Sequence, residues 1–485
     1  MEETSRRNFL KGTAWMGITA AAAGCMSKGF RLTPGGSMMG WADKPIEKLR
    51  VGVIGLGMRG PGAVHILAMI PGVEVTALCD KHPERVEQQQ QWLRDNGHRP
   101  APKTFSGEDG YKRLCEDDEI DLVYSATPWQ LHVPIALYAM EHGKHVATEV
   151  PSAFTIDECW QLVETSERTR RHCIQLENCC YGEIEMLTLN MARKGLFGEL
   201  KHAECAYIHD LRECCYQDPN VTKVGYGVSG YMDYWRLKWN NVHKGNQYPT
   251  HGLGPVCWYF DVNRGDRLDY LVSLESQAVG FRDYAGIMFP GTWKAGLKPQ
   301  MGDMNTTLVK TVKGKSIMIQ HDVSSPRPYS RINLVSGTRG ILKDYPYQVA
   351  FSKKPGAGAH EWFTDAEAEA LRKEHMHPLW KEAGDFAKIV GGHGGMDFLM
   401  ILRLAYCLQN GLPPDMNVYD LATWCSICEL SEKSVRSRSS SQDVPDFTRG
   451  AWKDARPVEI TPVGLARMGF KSDSEIKSDS SQLSV

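Results

Sequence analysis

The chain has 485 residues, 42 % of them hydrophobic, and its 56 lysines and arginines against 58 acids leave a net charge of −2. With charges of both signs interspersed, this composition excludes a polyelectrolyte surface for nucleic acid or anionic membrane. It suits an ordinary soluble enzyme with two domains and sizeable cores.

At the N-terminus, Ser5-Arg-Arg-Asn-Phe-Leu-Lys11 matches the twin-arginine export signal. The apolar stretch Ala14 to Ala23 that follows is too short to span a membrane as a stable helix. Ala22-Ala-Gly24 directly before Cys25 resembles a lipoprotein processing site, so Cys25 is a candidate lipid anchor, with simple cleavage as the alternative. Residues 1–44 therefore read as signal and linker, and the mature protein is expected in the periplasm or anchored at the cell envelope. The twin-arginine route carries folded proteins, which suits an enzyme that must acquire a cofactor before export. Of the fourteen cysteines several lie in apolar runs or side by side, as at Cys179-Cys180 and Cys214-Cys215, which predicts mostly buried free thiols rather than a disulfide framework. Cys425-x-x-Cys428 sits within a helical pattern with no second pair, and no metal is expected.

Leu49 to Ile54 is an apolar run of strand type that leads into Gly55-x-Gly57-x-x-Gly60. A helical segment, Ala63 to Met69, follows, and then a second strand, Val73 to Cys79, ends at Asp80, 20 positions past the last glycine. Each part has a task in dinucleotide binding. Gly55 permits the tight turn, Gly57 lets backbone N–H groups approach a pyrophosphate, and Gly60 lets the helix pack closely. The helix N-terminus supplies donors and partial positive charge. Asp80 can accept from ribose hydroxyls and would repel a 2′-phosphate, which favours NAD over NADP.

Helices are predicted over Pro83–Asn96 and Asp109–Leu114, and a buried strand over Ile120–Ala126, ending at Thr127-Pro128-Trp129. Next come a helix from about Val133 to Gly143, the strand His145–Glu149, a helix capped by Thr155 and reaching about Arg171, and the strand Cys173–Glu177. This alternation implies an α/β fold, with a Rossmann doubly wound parallel sheet over residues 45–178 whose ligands gather at the carboxyl ends of the strands. Residues 127–132, 149–150 and 177–181 fall at such ends and should converge on the cofactor.

From Glu183 the texture changes. A helix, Glu183–Gly195, leads to Leu200–Tyr207 and a long polar and aromatic stretch, Asp210–Pro249. Alternating runs at Tyr270–Ala278, Asn305–Val312, Ser316–His321 and Arg331–Val335 predict a largely antiparallel, open-faced sheet with one face buried. Helices return at Trp380–Val390, Asp397–Gln409 and Asp420–Ser437, completing an α+β substrate domain over 179–455. Residues 456–485 read as a loosely held tail. His251 lies in a Pro- and Gly-flanked loop of the kind that positions functional groups. The aromatics between Tyr231 and Trp258 form either a sugar-stacking face or interface packing. His393, among glycines, reads as the start of a helix.

The glycines, Asp80, Thr127-Pro128 and the Glu149 strand end resemble the Gfo/Idh/MocA oxidoreductases. Those usually carry Glu-Lys-Pro where this chain has Glu149-Val150-Pro151. The closer resemblance is to glycoside hydrolase family 109, the NAD-dependent α-N-acetylgalactosaminidases. It spans nearly all of residues 48–452 and includes Pro128-Trp129, Glu177-Asn178-x-Cys180-Tyr181, Tyr248-Pro-Thr-His-Gly-x-Gly-Pro255, Arg327-Pro-Tyr329 and Gly391-Gly-His-Gly-Gly-Met-Asp397. The resemblance implies cofactor contacts at Met58, Arg59, Asp80, Trp129, Gln130, Leu131, His132, Glu149, Val150 and Asn178. It implies sugar contacts at Tyr207, Arg236, Tyr248, Pro249, Thr250, His251 and Tyr329. Tyr181 and His251 are implied in proton transfer, with Glu149 orienting or relaying.

The implied reaction is hydrolysis of terminal α-linked N-acetylgalactosamine on blood-group or mucin-type glycans. The sugar is oxidised at C3, loses its C2 proton and C1 substituent by elimination, adds water and is reduced again, with NAD regenerated. The alternative within the same fold is a sugar oxidoreductase with net redox turnover. The fold resemblance further implies that a second copy can cover the open sheet, giving a homodimer.

Overall fold

The computed structural model describes residues 36–217, 230–352, 356 and 358–470. The segment expected to be an export signal, Cys25 included, lies outside the described residues. Residues 36–44, expected as linker, are instead tied down. The Met38 N–H donates to the Tyr419 hydroxyl at 2.9 Å, and the Trp41 ring lies 4.6 Å from that of His172.

Six parallel strands form the first sheet: β1 (Leu49–Ile54), β2 (Val73–Asp80), β3 (Lys103–Ser106), β4 (Leu122–Ser125), β5 (His145–Thr148) and β6 (Cys173–Gln175). They lie in the order β3-β2-β1-β4-β5-β6. The chain reverses its winding between β1 and β4, the position at which a doubly wound sheet opens a crevice at its carboxyl edge. The expected strands and helices are present, and β3 is additional. Its side chains are only partly buried, so it lacks the apolar run that marks the central strands. Thr155 caps the helix Ile156–Thr169 through a reciprocal capping box with Glu158.

The second sheet has eight strands: β7 (Leu200–Ile208), β8 (Leu268–Glu275), β9 (Asn305–Thr311), β10 (Ser316–Asp322), β11 (Leu334–Gly337), β12 (Gly340–Lys343), β13 (Gln348–Phe351) and β14 (Gln442–Asp443). Their order is β13-β12-β11-β7-β10-β9-β8-β14, antiparallel except for the parallel pair β7–β10. The helices Thr250–Tyr259 and Val418–Arg436 pack against one face, while Tyr270, Leu274 and Leu308 remain exposed on the other. This is the open-faced sheet that the alternating runs predict. The expected run Arg331–Val335 begins late, because Ile332 and Asn333 have φ of 61° and 44°, outside extended geometry.

Two further expectations need correction. His251 lies in the first turn of the helix Thr250–Tyr259, not in a loop. The tail is not loosely held up to residue 470: Val458, Ile460 and Val463 are buried in the main core, and the Glu382 carboxylate accepts from the Val463 and Leu465 N–H groups. A few well-placed apolar anchors suffice to hold a short polar segment. The boundary near residue 178 is crossed by the helix Val418–Arg436, which packs on both β6 and the helix Ile156–Thr169. All 13 described cysteines are free, and all but Cys214 are buried.

Candidate active site

The turn after β1 is built around two glycines. A Cβ on Gly60 would stand 1.9 Å from the Gly55 carbonyl oxygen, and one on Gly55, whose φ is +89°, would meet the Ala126 carbonyl oxygen at 2.7 Å. Gly57 is different. A Cβ there would face the crevice, with its nearest neighbour the Arg85 guanidinium at 3.4 Å. Asp80 closes the turn by accepting from the Leu56 N–H at 2.7 Å and the His82 N–H at 2.9 Å, one bond to each carboxylate oxygen. Each oxygen therefore keeps acceptor capacity for a ribose hydroxyl.

These groups border a cleft of about 610 Å³ between the carboxyl edge of the first sheet and the second domain. Met58, Arg59, Gln130, Leu131, Val150 and Asn178 line it from the first domain's side. Trp129 fixes its wall by donating from Nε1 to the Val150 carbonyl at 3.2 Å. His132 also borders the cleft, yet both its ring nitrogens face carbonyls, Pro151 at 2.8 Å and Thr127 at 2.9 Å. It sits between two strand ends, and burial holds its pKa below the usual imidazole value, which favours a neutral ring that donates to one of the two carbonyls. The Glu149 carboxylate accepts from Arg59 Nε at 3.2 Å and from the Tyr124 hydroxyl at 3.4 Å. Arg59 reaches on to Asp397 at 2.9 Å, and Asp397 accepts from Asn178 at 2.6 Å.

The other end of the cleft is aromatic. Tyr207 and Tyr248 stack with ring centroids 4.4 Å apart. The Arg236 guanidinium lies 4.9 Å from the Trp129 ring, 5.0 Å from that of Tyr248 and 5.1 Å from that of Tyr231. Its Nη1 donates to the Tyr231 hydroxyl at 2.6 Å, while Nε and Nη2 are buried with no hydrogen-bond partner among the described residues. Such donors are costly unless a ligand satisfies them. Tyr231 and Trp235 line the cleft, whereas Trp258 is core, so the aromatic stretch is divided between the cleft wall and interior packing.

His251 enters between these halves. Its Nδ1 lies 2.7 Å from Glu177 Oε1, and its Nε2 lies 3.5 Å from the Tyr248 hydroxyl. Burial alone would raise the Glu177 carboxyl, but the adjacent imidazole outweighs it and holds the pKa below the usual carboxylate value. Glu177, Cys179 and His251 offer ligand atoms within 4.8 Å of one another, but the Glu177–His251 hydrogen bond already occupies two of them.

Four expected residues lie elsewhere. Tyr181 does not reach the cleft: the turn Asn178–Tyr181 aims Asn178 at the cofactor side and sends Tyr181 into the core, with 2 % exposure. Its hydroxyl donates to Asp415 at 2.9 Å, and that carboxylate is paired with Arg403 at 2.6 Å. Burial raises its pKa well above the ordinary phenol value, so the expectation of proton transfer at Tyr181 is corrected. Pro249 and Thr250 are buried at the start of their helix and are not among the residues that line the cleft. Tyr329 sits behind the lining, 5.2 Å from the His209 ring and 6.1 Å from that of Tyr207, and its hydroxyl accepts from Arg331 at 2.9 Å.

Arg85 and His209 join the site with no local signal in their own segments, while His393 and Asp397, read from the glycine-rich block only as a helix start and a family motif, join it as well. Arg85 belongs to an otherwise polar helix, and the rest are placed by tertiary contacts alone.

The model described as "Glycosyl hydrolase 109, C-terminal domain" matches residues 181–454, and "Oxidoreductase family, NAD-binding Rossmann fold" matches residues 49–176. A "Glycosyl hydrolase family 109 protein" of Solibacter usitatus is 46 % identical over 94 % of this chain and 100 % of its own length. The chain belongs to glycosyl hydrolase family 109. Another relative of this family 109 chain, an "Alpha-N-acetylgalactosaminidase" of Bacteroides fragilis, is 47 % identical over 86 % of this chain and 96 % of its own. Among solved structures, an oxidoreductase domain protein from Kribbella flavida shares the fold, with a TM-score of 0.60 at 16 % identity over 82 % of this chain and 100 % of that one. Levoglucosan dehydrogenase in complex with NADH does so with a TM-score of 0.57 at 18 % identity over 82 % and 99 %.

NAD is the cofactor of the family 109 cleft, and the residues present fit it. Gly57 lines the cleft with no side chain of its own, Asp80 keeps acceptor capacity at the end of β2, and the helix beginning at Gly60 offers its N-terminus.

Proposed function

We propose that this glycoside hydrolase releases terminal α-linked N-acetylgalactosamine from blood-group or mucin-type glycans and that NAD ends each turnover unchanged. The observation that carries the reading is His251, held by buried Glu177 and facing a cleft that also holds the dinucleotide-binding residues. NAD supplies a reversible sink for the hydrogen at C3 of the sugar.

A sugar oxidised at C3 has an acidic proton at C2, so a base can remove it while the C1 oxygen leaves by elimination. Glu177 fixes His251 with Nδ1 toward the carboxylate, which turns Nε2 toward the cleft as the group that accepts or returns a proton. The Tyr248 hydroxyl, beside Nε2, is the second proton carrier. Arg236 presents to the sugar's oxygens the N–H donors that find no partner among the described residues, and the Tyr207 ring offers an apolar face. Glu149, anchored by Arg59, orients the sugar hydroxyl at the nicotinamide end. Val150 stands where ordinary dehydrogenases of the fold carry lysine, which favours the cycle over net oxidation.

The test is release of nitrophenol from p-nitrophenyl α-N-acetylgalactosaminide by purified protein with no added cofactor, with nicotinamide absorbance followed in parallel. Nitrophenol without stoichiometric NADH supports the reading. NADH accumulation without nitrophenol overturns it.

Export by the twin-arginine route, lipid anchoring at Cys25 and pairing of two copies through the exposed face of β8 and β9 belong to the same proposal. The Ser5–Lys11 motif supports the first, Gly24-Cys25 the second and the exposed Leu274 and Leu308 the third. Fractionation of cells, acyl labelling of Cys25→Ser against the parent, and sedimentation test them in turn.

A further inference from the structure

The segment Gly391-Gly-His-Gly-Gly395 carries no part of the proposed chemistry, yet its conformation is demanding. All five residues have positive φ, from 49° at His393 to 99° at Gly395. Four glycines tolerate this, and His393 is the one side chain displayed in the row. A Cβ on Gly392 would meet that of Asp397 at 2.8 Å, so the turn is moulded onto the start of the helix Met396–Asn410.

What the turn displays is a set of contacts across the cleft. Asp397 Oδ2 accepts from Arg59 Nη1 at 2.9 Å, and its Oδ1 accepts from Asn178 at 2.6 Å. His393 Nδ1 completes a triangle, 3.0 Å from Arg59 Nη1 and 2.9 Å from Asp397 Oδ2. Arg59 belongs to the glycine turn of the first domain, whereas His393 and Asp397 belong to the second, 334 and 338 positions later. Arg59 and His393 both line the cleft. Asp397 is buried while His393 is half exposed, so the triangle runs from the interior to the rim.

We propose that Arg59, His393 and Asp397 form a clasp that joins the two walls of the cleft and retains NAD, and that release of the Gly391–Gly395 turn limits cofactor exchange. The inference rests on NAD being returned unchanged at every turnover, since such an enzyme gains from holding its cofactor and has no need to exchange it. Widening the cleft breaks the Arg59–Asp397 pair, whose acid is shielded from water and whose second oxygen is committed to Asn178. The glycines then give the turn a route to swing clear without steric penalty.

The test uses the full-length holoenzyme loaded with labelled NAD⁺ and chased with excess unlabelled NAD⁺, with no glycoside present. Asp397→Asn and His393→Ala are each expected to release label at least about tenfold faster than the parent, equivalent to losing about 1.4 kcal/mol of retaining contact. Arg264→Lys, at the buried Arg264–Asp420 pair outside the cleft, is expected to release it at the parental rate. The clasp is overturned if either cleft variant exchanges at the parental rate, or if Arg264→Lys exchanges as fast as Asp397→Asn. Should Asp397→Asn fail to fold, His393→Ala decides alone. Failure of the glycosidase reading would show instead in nitrophenol release, which this assay does not use.

Discussion

His251 Nδ1 lies 2.7 Å from the carboxylate of Glu177, a residue 74 positions earlier whose side chain is fully shielded from solvent. The pair sets which ring nitrogen faces the cleft, because a buried carboxylate bonded to Nδ1 directs the other nitrogen to the substrate. Of the groups expected to move protons, His251 is the one that the structure orients in this way.

His251→Ala is expected to slow nitrophenol release by roughly 10²- to 10⁴-fold, the usual contribution of a positioned acid–base group. Glu177→Gln should cost a smaller part of that factor, about tenfold to a hundredfold, because the ring remains but its orientation is no longer enforced. Steady-state kinetics with the NAD content of each preparation measured beside it checks both. Parental kcat in either variant would remove the pair from the mechanism.

Tyr181→Phe is expected to affect stability and not turnover. The lost hydroxyl leaves a buried carboxylate, Asp415, with one bond fewer, a loss of about 1.5–3 kcal/mol for a hydrogen bond to a charged group. Urea denaturation should therefore shift while kcat stays within about twofold of the parent. A large fall in kcat at unchanged stability would restore Tyr181 to the chemistry.

The glycines of the turn should separate by mechanism. Gly60→Ala places a Cβ 1.9 Å from a carbonyl oxygen and should abolish soluble folded protein or strip it of NAD. Gly57→Ala has 3.4 Å to its nearest neighbour, so the fold should persist and cofactor affinity should fall. Thermal melting together with the NAD content of the purified proteins distinguishes the two.

Burial alone would raise the Asp397 carboxyl, but Arg59 and His393 outweigh it and hold the pKa well below the usual aspartate value. A carboxyl depressed in the folded state contributes stability that is fully present above its unfolded pKa, about 3.9, and is lost as pH falls toward the folded value. Melting temperature should therefore decline below about pH 4 in the parent and decline less steeply in Asp397→Asn. Equal slopes would mean that Asp397 is not ionised against Arg59.

Arg236→Met keeps much of the packing volume among Trp129, Tyr231 and Tyr248 but removes the buried donors. It is expected to raise KM for the galactosaminide by about tenfold or more while NAD stays bound, as read from initial rates and cofactor content. An unchanged KM would place the sugar elsewhere in the cleft.

The dinucleotide half was legible in the chain because its determinants are local. Gly55, Gly57, Gly60 and Asp80 lie within one strand–helix–strand unit, and Thr155 marks its helix through a capping box that spans four residues. Alternation in β8, β9 and β10 was readable for the same reason: a strand with one buried face writes that face into its own residues. Tyr181 misled because strand ends point toward the crevice, and a single turn after β6 was enough to send a ring into the core instead. The pairing of Glu177 with His251, and of Arg59 with His393 and Asp397, could be decided only by the packed tertiary structure. These partners lie on separate elements, and no periodicity within one segment encodes where another segment's side chain will arrive.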